Sequence, residues 1–172
     1  MDTRFVGKAV DAVKAEKAQY GRGEDRPLGS YLAVSGVYGG VVAALACLVR
    51  ARGRGLPDRI EPTDVVLTAV ATHKLSRLLA KGPVTSWLRA PFTQFSGQSG
   101  AAEIAEEARD GPRHAVGELL TCPFCISQWI ATGLVFGLAL APRSTRLVTG
   151  LFSALSGADF LQFAYALAQK RA

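Results

Sequence analysis

Gly117-Glu118-Leu119-Leu120-Thr121-Cys122-Pro123-Phe124-Cys125-Ile126-Ser127-Gln128-Trp129 is the stretch on which the fold turns. It leads into an apolar segment, Ile126 to Ala141, that carries no charge before Pro142 and Arg143. About 20 apolar residues cross a hydrocarbon layer of about 30 Å, so Cys122 to Ala141 reads as a membrane span. The Cys-Pro-x-Cys pair then marks the point where this helix enters the bilayer. Two thiols at that spacing can close a disulfide or supply half of a metal site.

Working outward, Pro142-Arg143-Ser144 reads as a tight connection to a further span from Arg146 to about Ala168. Upstream, Tyr31 to Val49 is uncharged throughout and ends at Arg50, Arg52 and Arg54, cations suited to headgroups. A fourth segment, Val65 to Ala80, follows Thr63-Asp64, where Asp64 can cap a helix. It begins apolar, then carries His73, Lys74 and Arg77. Each Lys or Arg at a bilayer centre costs about 2.5 to 3.5 kcal/mol, so this span is conditional on those residues facing the bundle interior, a polar cavity or an interface. Gly82-Pro83 ends it, and Trp87, Arg89 and Pro91-Phe92 read as an interfacial elbow. Thr93 to Gly100 reads as a polar loop, Ala101 to Arg109 as a short acidic helix, and a further helix is expected from near Arg113 toward the cysteines.

At the N-terminus, Phe5, Val6, Ala9, Val10 and Val13 recur at helical spacing opposite Lys8, Asp11, Lys14 and Lys17. This predicts an amphipathic helix from about Arg4 to Tyr20, lying among headgroups or packed as a surface helix. The opening Met-Asp-Thr-Arg has no compact apolar stretch ending in a cleavage site, so no signal peptide is expected. The expected fold is therefore all-α: a polytopic membrane helical bundle of three to four transmembrane helices plus an N-terminal amphipathic helix. Residues 1–30 hold that helix and a linker. Residues 31–172 form the bundle, with spans at 31–49, 65–80 (conditional), 122–141 and 146–168 and a loop at 81–121.

Composition agrees. The chain of 172 residues is 49% hydrophobic with a positive mean hydropathy. Its net charge of +6 comes without a basic motif interleaved with aromatics, which argues for anionic lipid and against nucleic acid. Lys and Arg number six before the first span, four between Ala80 and Thr121 and two at the C-terminus, against four and two in the other loops. The positive-inside rule then favours cytoplasmic termini and a cytoplasmic Cys pair, with the Arg50/Arg52/Arg54 cluster pulling the other way. The glycine pairs Gly36/Gly40 and Gly133/Gly137, with Gly150 and Gly157 in the last span, allow close helix approach and predict a homo-oligomer.

Three groups of residues carry candidate chemistry. Cys122 and Cys125 could act with His114, Glu118 or His73 as a metal site, zinc being the reasonable ion, or as a redox pair at a helix N-terminus. On one straight helix His114 and Cys125 would lie about 16 Å apart, so a shared ion needs a break, near Gly117, or His73 from elsewhere. A reduced pair packed at a helix start is the plain alternative. The strand-helix-strand context of glutaredoxins is absent, and membrane thiol oxidases need a second Cys pair that Cys47 alone cannot supply. Cys47 reads as a packing residue. In the second group, Asp159 lies inside the last span, with His73 or Arg77 as its partner, either as a docking ion pair or as part of a proton or ion path. In the third, Glu103, Glu106 and Glu107 read as a solvated face or docking surface. No triad, phosphate loop or paired catalytic carboxylates are present.

Asp64, Leu75-Ser76-Arg77, Arg89-x-Pro91-Phe92 and Gly117-Glu118-Leu119 before Cys122-Pro123-x-Cys125 and Trp129 stand in this chain in that order. Over Asp64 to Ala141 the chain resembles a family of small bacterial integral membrane proteins catalogued only as a domain of unknown function. The N-terminal helix and first span lie outside the resemblance, which brings no established activity. The functional expectation is a non-enzymatic, self-associating scaffold or partner-binding module of the bacterial cytoplasmic (inner) membrane. A protein partner would dock at the cytoplasmic face, and the Cys pair would carry at most a structural metal. The alternatives are a thiol-redox or metal-dependent membrane enzyme centred on the Cys pair, and an ion-conducting bundle using Asp159.

Overall fold

The computed structural model describes Ala15, Tyr20 and residues 27–53, 59–100 and 102–171. Apart from Ala15 and Tyr20, the amphipathic helix expected over Arg4 to Tyr20, most of the linker behind it and Arg54 lie outside the described residues. The order of elements is α1 (Leu28–Ala51), α2 (Pro62–Lys81), a 3-10 turn (Pro83–Thr85), α3 (Ser86–Arg89), β1 (Thr93–Gln98), β2 (Ile104–Ala108), α4 (His114–Thr121), α5 (Pro123–Leu140) and α6 (Pro142–Gln169). The architecture is helical, with one two-stranded sheet.

Proline sets the helix starts. Pro62, Pro123 and Pro142 each occupy the first turn of their helix, where the missing N–H would have had no intrahelical partner. α2 therefore begins before Asp64, and Glu61 rather than Asp64 is its N-cap residue. The connection expected over Pro142-Arg143-Ser144 is helical, and Ala141 alone joins α5 to α6.

Helix directions follow from the bonds between helices. Asp64 pairs with Arg146, Ser153 Oγ donates to the Leu67 carbonyl, and Lys74 pairs with Asp159. The partners advance together, so α2 and α6 run parallel. Tyr31 donates to Glu118 on α4, and farther along α1 Tyr38 bonds Thr132 of α5 at 2.8 Å while its ring meets Trp129 edge-on at 5.1 Å, so α1 follows the direction of the chain from α4 into α5. α5 turns directly into α6. One end of the body thus gathers the start of α1, the end of α2, the sheet, α4 and the cysteines, and the other gathers Arg50, Arg52 and the α5–α6 turn.

Packing in this body inverts that of a water-soluble bundle. The buried face of α2 is Asp64, Thr68, Ala71, Ser76 and Ala80, and that of α6 is Thr145, Thr149 and Ser156. Large apolar side chains point outward instead, among them Leu32, Val37, Val66, Leu147, Leu151, Phe160, Leu161 and Phe163. Small hydroxyl and methyl side chains let helix backbones approach closely, the packing used where the surroundings are as apolar as the side chains. Among the described residues three helices, α1, α5 and α6, are long and apolar enough to cross a membrane, and only 6%, 0% and 11% of their most apolar stretches is buried. Cys47, expected as a packing residue, is exposed on α1.

The sheet corrects a second expectation. Thr93–Gln98, read as loop, and Ile104–Ala108, read within an acidic helix, pair antiparallel from Thr93 opposite Ala108 to Gln98 opposite Ile104. A bulge lies between Phe95 and Gly97, and Gly97 has φ 151, backbone that a side chain would strain. Helix propensity around the glutamates yields to the ion pairs that the hairpin lets them make.

Candidate functional site: the thiol pair and its cap

α4 stops at Thr121 because Cys122 adopts extended backbone (φ −99, ψ 107) ahead of Pro123, and the residue before a proline is pushed out of the helical region. The helix break expected near Gly117 therefore lies at Cys122. Gly117 has a different role. A Cβ there would fall 2.6 Å from the Phe92 carbonyl oxygen and 2.8 Å from Ala108 Cβ, so its missing side chain lets α4 rest on the hairpin.

The break makes Cys122 the N-cap of α5. Its Sγ accepts a hydrogen bond from the Cys125 backbone N–H at 3.3 Å, and the Cys125 thiol donates to it at 2.7 Å. Both cysteines are free thiols, and Cys125 is exposed. Phe124 between them is 88% exposed. The positive end of α5 faces Cys122.

The other expected ligands come close without joining. His114 Nε2 lies 3.4 Å from Glu118 Oε1, and the second Glu118 oxygen accepts from Tyr31 at 2.5 Å. His73 is exposed on α2. Among the described residues no group of three His, Cys, Asp or Glu side chains is arranged to hold a metal ion. The chain's three cysteines and two histidines are all described, so no third thiol or imidazole completes a site within one chain.

Behind the thiols lies a cap that the sequence reading missed. Arg89, expected at an interfacial elbow, is 1% exposed, and Glu106 opposite it is 5% exposed. The guanidinium donates to both Glu106 oxygens at 2.8 and 2.9 Å, and to Leu79 O, Gly82 O, Thr85 Oγ1 and Ser86 Oγ. Thr93 Oγ1 also donates to Glu106. Burial acts to raise the Glu106 carboxyl, but hydrogen bonds from Arg89 and Thr93, the Arg89 charge and a bond from Ser86 outweigh it and hold the group below the ordinary glutamate range. Glu103 is likewise no free surface acid, since Arg77 grips both its oxygens at 2.6 and 2.8 Å. The two clamps tie the sheet to the end of α2.

With Arg77 engaged there, Asp159 takes Lys74 as partner rather than His73 or Arg77. Their side chains remain 24% and 42% exposed. Of the expected packing glycines, only Gly137 is closely approached, its absent Cβ lying 2.7 Å from Thr145 Oγ1 at the α5–α6 turn. Gly36, Gly40, Gly133, Gly150 and Gly157 face open space. Beside the cap, Ala33, Val34 and Val37 of α1 line an apolar cleft of about 320 Å³ with Ala115, Leu119 and Trp129.

No curated protein and no solved structure matches this chain. One family does, over residues 67–165, from the second turn of α2 almost to the end of α6. That stretch holds the cap, the thiol pair and most of both parallel helices, though not Asp64, and it is more than half of the 172 residues. The chain belongs to the family described as protein of unknown function (DUF1360).

Proposed function

We propose that this chain is a polytopic protein of the bacterial cytoplasmic (inner) membrane that acts without catalysis, as a self-associating module presenting its cap to a protein partner at the cytoplasmic face. The inverted packing of the body carries this reading: small hydroxyl residues inside, large apolar residues outside. Water would penalise that surface by roughly 25 cal/mol per Å² of apolar area, whereas acyl chains would not. α2 is the conditional fourth span. It runs parallel to α6, its acid at Asp64 is met by Arg146, and Lys74 is met by Asp159. Pairing lowers the cost of both charges but leaves Arg146, Lys74 and Asp159 partly uncovered, and a second copy laid over this face would finish the shielding. The open glycines Gly36, Gly40 and Gly133 offer close approach for the same purpose.

Two experiments test the reading. Membranes containing the protein are washed with alkaline carbonate, and release into the supernatant would exclude spanning. The protein is then reconstituted at falling protein-to-lipid ratio, and subunits are counted by single-molecule photobleaching. Association that persists on dilution and weakens on Gly36→Leu or Gly133→Leu is expected. A monomer at every ratio would end the self-association part.

A further inference from the structure

The geometry points to Cys122 and Cys125 as a two-thiolate site for a soft monovalent d10 cation, Cu(I), held at the entrance of α5 and exchanged with other thiols. The donor set decides the ion. Zinc in a structural site takes four ligands, usually tetrahedral, and the chain brings only two soft donors together. The nearest carboxylate, Glu118, is occupied by Tyr31 and His114. Soft thiolates select Cu(I), an ion that two sulfurs can satisfy.

The local fold suits that charge and geometry. Extended backbone at Cys122 and the first turn of α5 at Cys125 bring both sulfurs to one side. One monovalent ion between two thiolates leaves one negative charge, set at the positive end of an 18-residue helix and bonded by the Cys125 N–H. Sulfurs on either side of one ion stand about 4 to 4.5 Å apart, at roughly 2.2 Å per bond. From 2.7 Å this takes rotation about the Cα–Cβ bonds, for which the exposed side of Cys125 leaves room. The flanking Phe124 projects into the surroundings, and the ion can be passed in or out without opening the fold.

The site lies within one chain, so it stands or falls separately from self-association. The full-length protein is purified anaerobically in detergent, reduced, and titrated with Cu(I) against a chromophoric Cu(I) chelator. Ultraviolet thiolate-to-metal absorption and sulfur coordination by X-ray absorption are also read. The expected result is one Cu(I) per chain with two sulfur ligands, at any subunit number. Cys122→Ser or Cys125→Ser should each weaken retention at least tenfold while far-ultraviolet dichroism shows the helices intact. Cys47→Ser, which alters an exposed thiol elsewhere on the chain, should change nothing. Equal loss in the Cys47 variant would reduce the binding to ordinary thiol affinity and overturn the assignment. Half a zinc per chain that excludes copper would replace it with a four-sulfur site shared by two copies. Failure to bind either ion by a fully reduced pair would remove the metal altogether.

Discussion

The cap and the helical body bury charge in opposite ways. In the cap, Arg89 and Glu106 are sealed from their surroundings, and every guanidinium nitrogen finds an oxygen. In the body, Lys74 and Asp159 meet as a single contact and stay partly uncovered, among helices whose interior is small hydroxyl side chains. A buried pair costs several kcal/mol of desolvation per ion, repaid only when geometry is good and remaining donors are satisfied. The cap meets that condition by itself. The Lys74–Asp159 contact does not, unlike Asp64 at the other end of α2, which is buried and held through both carboxylate oxygens by Arg146.

Breaking the cap should have the largest effect. Arg89→Ala strands a carboxylate among buried polar groups, and the loss is expected to be about 3 to 5 kcal/mol. Thermal unfolding together with protease cleavage of the 93–108 hairpin would read it. Stability within about 1 kcal/mol of the unaltered protein would show that the cap tolerates an unpaired acid. Gly117→Ala should come next, at about 1 to 3 kcal/mol, because its methyl group would overlap the Phe92 carbonyl and Ala108. Hydrogen exchange in β2 and α4 should rise, and exchange in α2 and α6 should not.

Acid should separate the two regions by pH. Glu106 titrates lower in the folded protein than in the unfolded chain, so its stabilising contribution is complete above the unfolded value of about 4.3. It is lost as pH falls through the folded value. Hairpin protection should therefore persist through pH 5 and collapse below the normal glutamate range. Glu106→Gln should remove that acid step, and an unchanged profile would assign it to another group. The smallest effect belongs to Arg77 and Glu103, both partly exposed, whose double-mutant coupling should be under about 1 kcal/mol.

Much of the body was legible because its signals are local. An uncharged run after Tyr31 and a Cys-Pro-x-Cys before Ile126 each speak through their immediate neighbours. The cap was not, because its logic is long-range. Glu103, Glu106 and Glu107 have good helix propensity, and only the positions of Arg77 and Arg89, distant in sequence, draw two of them into or beside a strand. One available clue was the pair of glycines at 97 and 100, both of which adopt positive φ. Gly117 was readable as a member of a motif but not as a contact, since its partners Phe92 and Ala108 belong to elements that the sequence suggested as elbow and helix. Asp159 pairs with Lys74, which lies one residue from His73 and three from Arg77, the two partners expected. Lys74 and His73 project from neighbouring positions on one helix, and composition cannot tell which faces α6.

The parallel helices α2 and α6 are pinned at Asp64–Arg146, at the Leu67 carbonyl and at Lys74–Asp159. A slip of one helical turn, about 5.4 Å, would break all three together. Piston-like sliding is therefore closed to this pair, and it behaves as a braced strut. A force on the cap, which Arg77 and Arg89 anchor to the end of α2, would arrive at the opposite face of the body as tilt.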